Sequence, residues 1–270
     1  MDKADSSKQV SKWETLDRDI LSVIFRKLNV EDLTMGASRV CISWFLASHN
    51  KSLWKTIDLE KFQEVDKRLK TLLSRIVFTE NFKQSFINET SRSLRNITKF
   101  SRSVPENLFF GCCSSLDDEC LMLAAASMPN IEKLALPRWC YLSKVGERCS
   151  NLTNFKYVGC LGKETAEKIV SYLKNIERLS LQYAYISRPG VLRLITGLQD
   201  LVILNISHCR EFDDETVTME NIVQAANQKH VQFIRCSNNC TGCKDKRWFE
   251  GFRSYGSESW RNDEIKELEL

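Results

Sequence analysis

Four segments of this 270-residue chain repeat one apolar template: Ile131-x-x-Leu134-x-Leu136, Leu152-x-x-Phe155-x-Tyr157, Ile176-x-x-Leu179-x-Leu181 and Leu201-x-x-Leu204-x-Ile206. They follow one another at intervals of 21, 24 and 25 residues, and a further step of 27 brings Gln228-x-x-Val231-x-Phe233 into the same register. Within each template the alternation has the period of a strand. Between templates, Asp118 to Ser127, Glu164 to Leu173 and Thr216 to Ala226 show helical spacing, bounded by Pro, Gly or Asn. A unit of one strand and one helix cannot cover its own apolar face, so the units must stack. The expectation is an α/β solenoid with parallel strands lining a curved face and helices on the convex side. Ala135, Lys156, Ser180 and Asn205, each between the last two template positions, then point to the concave face, and Trp139, Tyr183 and Tyr185 lie just beyond it. That face is the expected site for a protein target.

The chain ahead of the repeats reads differently. From Asp17 a helix is indicated by Ile20, Leu21, Ile24, Phe25 and Leu28, with Asp17 and Asp19 in the first turn, where they complement the helix dipole. Asn29 is placed to cap a second short helix carrying Leu33 and Met35, and a third runs from Val40 to Ala47 with Cys41, Trp44 and Phe45. Leu53 and Trp54 follow in what reads as loop. So small a bundle cannot bury this much apolar surface alone, and the surplus implies a partner. Between this region and the first clear template, Leu69, Leu72, Leu73 and Ile76 form a helical stripe, while Ile97 to Phe100 and Leu108 to Phe110 read as strands of irregular first repeats.

Trp13-Glu14-x-Leu16-x-x-Asp19-Ile20-Leu21-x-x-Ile24-Phe25-x-x-Leu28-x-x-x-Asp32-Leu33, then Val40-Cys41-x-x-Trp44, then Leu53-Trp54-x-x-Ile57-Asp58-Leu59, resembles an F-box. One position departs from that family, which usually has proline where this chain has Asp17. The body resembles leucine-rich repeats, which commonly place Asn or Cys three residues beyond the last apolar position, where Cys160, Cys209 and Cys236 stand; Cys149 falls in an inter-repeat turn. The C-terminal Trp260-Arg261-x-Asp263-Glu264-Ile265 resembles the ends of plant F-box proteins with such repeats. The resemblance implies the substrate-recognition subunit of an SCF-type cullin-RING ubiquitin ligase, docked on a Skp-type adaptor and through it on a cullin and a RING subunit. Leu16, Ile20, Leu21, Ile24, Leu33, Val40, Cys41, Trp44, Leu53 and Trp54 fall at family positions that form the bundle core or face the adaptor. The expected organisation is a disordered tail over 1–12, the F-box over 13–59, repeats over 60–235 and a capping extension over 236–270. A repeat scaffold acting without cullin recruitment is the alternative reading.

Composition bounds these expectations. With 39 basic and 35 acidic residues the net charge is +4, too balanced to argue for a nucleic-acid partner, and no apolar run reaches the roughly 18 residues of a membrane span. The first residues, Met1 to Lys8, hold no apolar export stretch, so a cytoplasmic and/or nuclear protein with reduced thiols is expected. The chain contains no Gly-x-Gly-x-x-Gly, no phosphate-binding Gly-x-x-x-x-Gly-Lys-Ser/Thr, no Gly-x-Ser-x-Gly and no metalloprotease spacing among its 3 histidines, which points away from an enzyme. Cys240-x-x-Cys243, with Cys236 and either Cys209 or His230, has the donors of a zinc site. Structural sites usually carry two such pairs and this chain has no second one, so neither a metal nor another cofactor is expected. Trp248, Phe249, Phe252, Tyr255 and Trp260 are expected to cover the open end of the last repeat.

Overall fold

A computed structural model describes residues 13–59, 80–110, 118–137, 142–212, 216–236, 240 and 263–269. The expected tail over 1–12, the stripe Leu69 to Ile76, the cluster Trp248 to Trp260, Trp139 and Cys243 lie outside them.

The first helix, α1 (Arg18–Phe25), begins at Asp17, whose carboxylate accepts from the backbone N–H of Asp19 at 2.7 Å. The residue that departs from the family pattern is thus the helix cap, a role for which Asp is among the best side chains. Asn29 likewise accepts from the N–H of Asp32 at 2.7 Å and starts a wide turn, Asp32–Gly36, that tightens into a 3-10 turn, Ala37–Arg39. Helix α2 (Ile42–Ser48) completes the bundle against α1.

Among the described residues ten short strands follow, all in parallel pairs. Seven make one sheet: β1 (Thr56–Asp58), β2 (Asn107–Phe109), β3 (Lys133–Pro137), β4 (Asn154–Val158), β6 (Arg178–Ser180), β8 (Ile203–Asn205) and β10 (Gln232–Ile234), in that order. Three two-residue strands, β5 (Cys160–Leu161), β7 (Tyr185–Ile186) and β9 (Arg210–Glu211), form a second ladder. Helices α3 (Glu80–Ser101), α4 (Asp118–Ser127), α5 (Ser143–Arg148), α6 (Lys163–Tyr172), α7 (Arg188–Gly197) and α8 (Met219–Gln228) pack in succession, each against the next from α3 to α8. Packing is close enough that a Cβ on Gly146 of α5 would collide with the carbonyl oxygen of Tyr172 in α6. This is the solenoid of parallel strands and covering helices that the repeats require.

The register runs unbroken through Ile57, Leu108, Leu134, Phe155, Leu179, Leu204 and Phe233, each the partner of the next. All but Phe233 are buried, in one apolar core that also contains Leu21, Phe25 and Leu33 of the helical bundle. The bundle therefore has no separate core. Its last segment, Trp54-x-x-Ile57-x-Leu59, follows the repeat template and supplies the first strand, so residue 59 ends a sequence pattern rather than a structural unit.

Four expectations are corrected here. Ile97 to Phe100 belong to α3 and not to a strand, although Leu108 and Phe109 do lie in β2. In the last rung Phe233, and not Val231, is the partner of Leu204, a shift of two residues that strand alternation cannot detect because it leaves the same side chains facing inward. Cys236 consequently stands short of the repeat's cysteine position. Cys160 pairs with Tyr185, so the position equivalent to Cys209 is Gly159, and Cys160 is exposed. The later rungs are one residue longer between their two ladders, and Tyr183 and His208, in left-handed backbone (φ 65° and 57°), lie in those longer connections. Cys209 is placed as expected and donates to the carbonyl of Leu181 at 2.9 Å. Cys149 is buried at the end of α5, and burial pushes its thiol up to about 11, so at neutral pH it packs as an apolar side chain.

Candidate functional site

Two surfaces are built for contact. On α1, Leu21 and Phe25 face the core, leaving Ile20, Val23, Ile24 and the following Leu28 exposed at helical spacing. On α2, Ala47 and Ser48 are buried, and Ile42, Phe45 and Leu46 are exposed. Val40, 57% exposed, and Trp13 extend the set. Nine of the large exposed apolar side chains of the described residues lie between Trp13 and Leu46, and a water-facing apolar surface of this kind marks an interface.

Of the ten adaptor-facing candidates, Ile20, Ile24 and Val40 are exposed and Leu16, Cys41, Trp44 and Leu53 are half-buried. Leu21, Leu33 and Trp54 are core positions and do not face the adaptor side. Trp54 is 1% exposed, donates its indole N–H to the carbonyl of Ser48 at 2.7 Å and lies beside Phe100 of α3 at 5.7 Å between ring centroids. It is an anchor between the bundle and the repeats because its template position points it inward. Ile42, Phe45 and Leu46 extend the exposed set: their spacing is that of a helical stripe on the side opposite Ala47.

The second surface is the concave face, and the chain itself occupies part of it. Residues 263–269 lie over the middle strands, with the 3-10 turn Lys266–Leu268 against β4. Asp263, Ile265 and Leu268 point down and are buried; Lys266, Glu267 and Glu269 point out, and Glu264 is exposed at the edge of the seat. The Asp263 carboxylate accepts from the Ser180 hydroxyl, from Asn205 Nδ2 at 2.8 Å and from the N–H of Ile265 at 2.8 Å, and it lies 3.0 Å from Lys156 Nζ. Glu264 accepts from Asn205 Nδ2 at 2.8 Å. Burial pulls the Lys156 ammonium below the usual lysine range, and the Asp263 charge opposes that shift. Ala135 is buried beside Phe109 and Val158.

The four residues read as target-binding, Ala135, Lys156, Ser180 and Asn205, do lie on the concave side, as alternation requires, but are fully covered. This corrects their assignment: Lys156, Ser180 and Asn205 hold the chain's own C-terminal segment. Tyr183 and Tyr185 are half-buried at the rim. Two residues earlier on the same face, Thr56, Asn107, Lys133, Arg178, Ile203 and Gln232 retain exposure, while Asn154 of β4 is buried. Template alternation marks those positions as strongly as Lys156, Ser180 and Asn205; only the seat of the C-terminal segment separates them.

Fold and surfaces together define a helical docking module fused to a leucine-rich repeat solenoid. Residues 13–60 match the F-box-like family. The chain is 43% identical to the F-box protein At4g11580 of Arabidopsis thaliana and 25% identical to the F-box/LRR-repeat protein At3g48880 of the same plant, both across the whole of each chain. It is also 21% identical to the Arabidopsis F-box protein SKIP1 over 77% of this chain and 82% of that one. The chain belongs to the F-box protein family, in the group with leucine-rich repeats. Members are in general substrate-recognition components of SCF ligases that engage a Skp-type adaptor through the F-box, and are typically adaptors rather than catalysts.

Proposed function

We propose that this chain is a non-catalytic substrate receptor of an SCF-type cullin-RING ubiquitin ligase in the cytoplasm and/or nucleus. The observation that carries the reading is the coincidence of the exposed apolar stripes of α1 and α2 with the F-box match over 13–60. Ile20, Val23, Ile24, Val40, Ile42, Phe45 and Leu46 form the adaptor face, and the adaptor brings the cullin and RING subunit. The target sits on the open part of the concave face, along Asn107, Lys133, Arg178 and Gln232, beside the outward charges of residues 266–269. Holding a target there converts ubiquitin transfer to its lysines into an effectively intramolecular step.

The test is recovery of adaptor and cullin with the tagged full chain. The wild type brings down both; the double variant Val40→Asp, Ile42→Asp keeps its fold, since both side chains are solvent-facing, and loses both. A folded wild-type chain that recovers neither overturns the reading in favour of a scaffold. Lys133→Glu with Arg178→Glu is expected to retain adaptor and cullin while losing the captured target.

A further inference from the structure

Three donors meet at the last rungs of the solenoid, beside the rim of the concave face. His208 sits in the β8–β9 connection, Cys236 just after β10, and Cys240 four residues on. One ligand atom from each lies within 4.8 Å of the other two, and all three residues are half-buried. His208 Nδ1 is 3.2 Å from the Cys240 sulfur, and the backbone N–H of His208 donates to the Cys236 sulfur at 3.0 Å. The imidazole is held from its other sides as well. It stacks on Tyr183, with centroids 4.9 Å apart and planes 15° from parallel, and its Nε2 faces Glu264 Oε1 at 3.2 Å.

We infer that His208, Cys236 and Cys240 bind a zinc ion. Around tetrahedral zinc, bond lengths of about 2.3 Å to sulfur and 2.0–2.1 Å to nitrogen place neighbouring donors about 3.6–3.8 Å apart, so shifts of a few tenths of an ångström to about 1 Å close the site. Two thiols and an imidazole are a borderline-soft set that suits zinc and excludes magnesium or calcium, which take oxygen. A carboxylate on the far nitrogen of a metal-binding imidazole fixes the tautomer and turns the free nitrogen toward the ion; Glu264 stands in that position. The fourth coordination position is open to water or another donor.

The imidazole is His208 rather than His230, and Cys209 is engaged with Leu181, so the constellation differs from the one the Cys-x-x-Cys spacing suggests. Through Glu264, the ion also couples the end of the solenoid to the C-terminal segment on the concave face.

The experiment is elemental analysis of the full chain after dialysis against metal-free buffer, paired with cobalt titration of the chelator-stripped wild type. The expected results are about one zinc per chain, less than about a tenth of that in Cys240→Ser and in Cys236→Ser, and thiolate-to-cobalt charge-transfer absorption in the wild type. Amide exchange in residues 263–269 is expected to quicken on chelation. A wild type that retains no zinc and gives no charge-transfer band overturns the site. Full zinc retention by both serine variants overturns the assignment to these ligands, and exchange indifferent to chelation overturns the coupling to the C-terminal segment.

Discussion

Replacing Asp263 by alanine removes the group on which the seating of residues 263–269 turns. Its carboxylate is 0% exposed, accepts from Ser180, Asn205 and Ile265, and faces an equally buried Lys156 ammonium at 3.0 Å. Removing one member of a buried ion pair costs about 3–5 kcal/mol, most of it the penalty of the charge left behind. Against this, the segment is held by the buried side chains of Ile265 and Leu268, about 1.5–3 kcal/mol each when fully buried. The loss is thus comparable with what remains. Because the segment can lift and let water reach Lys156, the damage stays local. Its detachment equilibrium is expected to shift by about a hundredfold to several thousandfold. Hydrogen exchange read by mass spectrometry is the assay: amides of 263–269 lose protection, the core strands around Phe155 and Leu179 keep theirs, and the melting temperature falls only modestly. Unchanged protection over 263–269 in a folded variant, or an equal loss across the whole sheet, would refute the argument. Asp263→Leu combined with Lys156→Met, which removes both charges, is expected to recover most of the protection.

Two further outcomes follow from burial. Trp54→Ala opens a cavity between the bundle and α3 and strips the Ser48 carbonyl of its donor, so it is expected to destabilise by about 3–5 kcal/mol in denaturant titration. Adaptor affinity per folded molecule should be unaltered; a folded, stable Trp54→Ala chain with weakened adaptor binding would return Trp54 to the interface. The second concerns alkaline pH. Burial holds the Lys156 value in the folded chain below the ordinary 10.5, so between the two the unfolded chain binds more protons and stability rises with pH. The penalty is fully present below the folded value and fades as pH rises through the interval between the two. The wild-type denaturant midpoint should climb relative to Lys156→Met as pH approaches 10.5; parallel profiles for the two would count against it.

The sequence by itself determined the class of protein and most of its frame. Apolar spacing between Ile131 and Ile206 is enough to stack four rungs, since each strand-helix unit has an apolar face that only a neighbour covers. The ordered positions from Trp13 to Leu59 identify the F-box, and the surplus apolar residues of α1 announce a partner. Local pattern also reads the helix starts at Asp17 and Asn29, where the side chain caps its own chain two or three residues away.

Only the tertiary structure decided which apolar residues of the F-box face out and what lies on the concave face. Leu21 and Ile20 are neighbours of the same chemistry, and their opposite fates depend on where α2 and the first strand stand. Trp54 reads as a loop anchor until β1 is seen to join the sheet, which turns it into core. A shift of two in the last rung is invisible to a period of two. The contacts of Asp263 with Lys156, Ser180 and Asn205 span 58 to 107 residues of chain, and those joining His208 to Cys240 and Glu264 span 32 and 56. Such meetings carry no local signal. They are set by the curvature of the stacked rungs, which gathers residues distant in sequence onto one face.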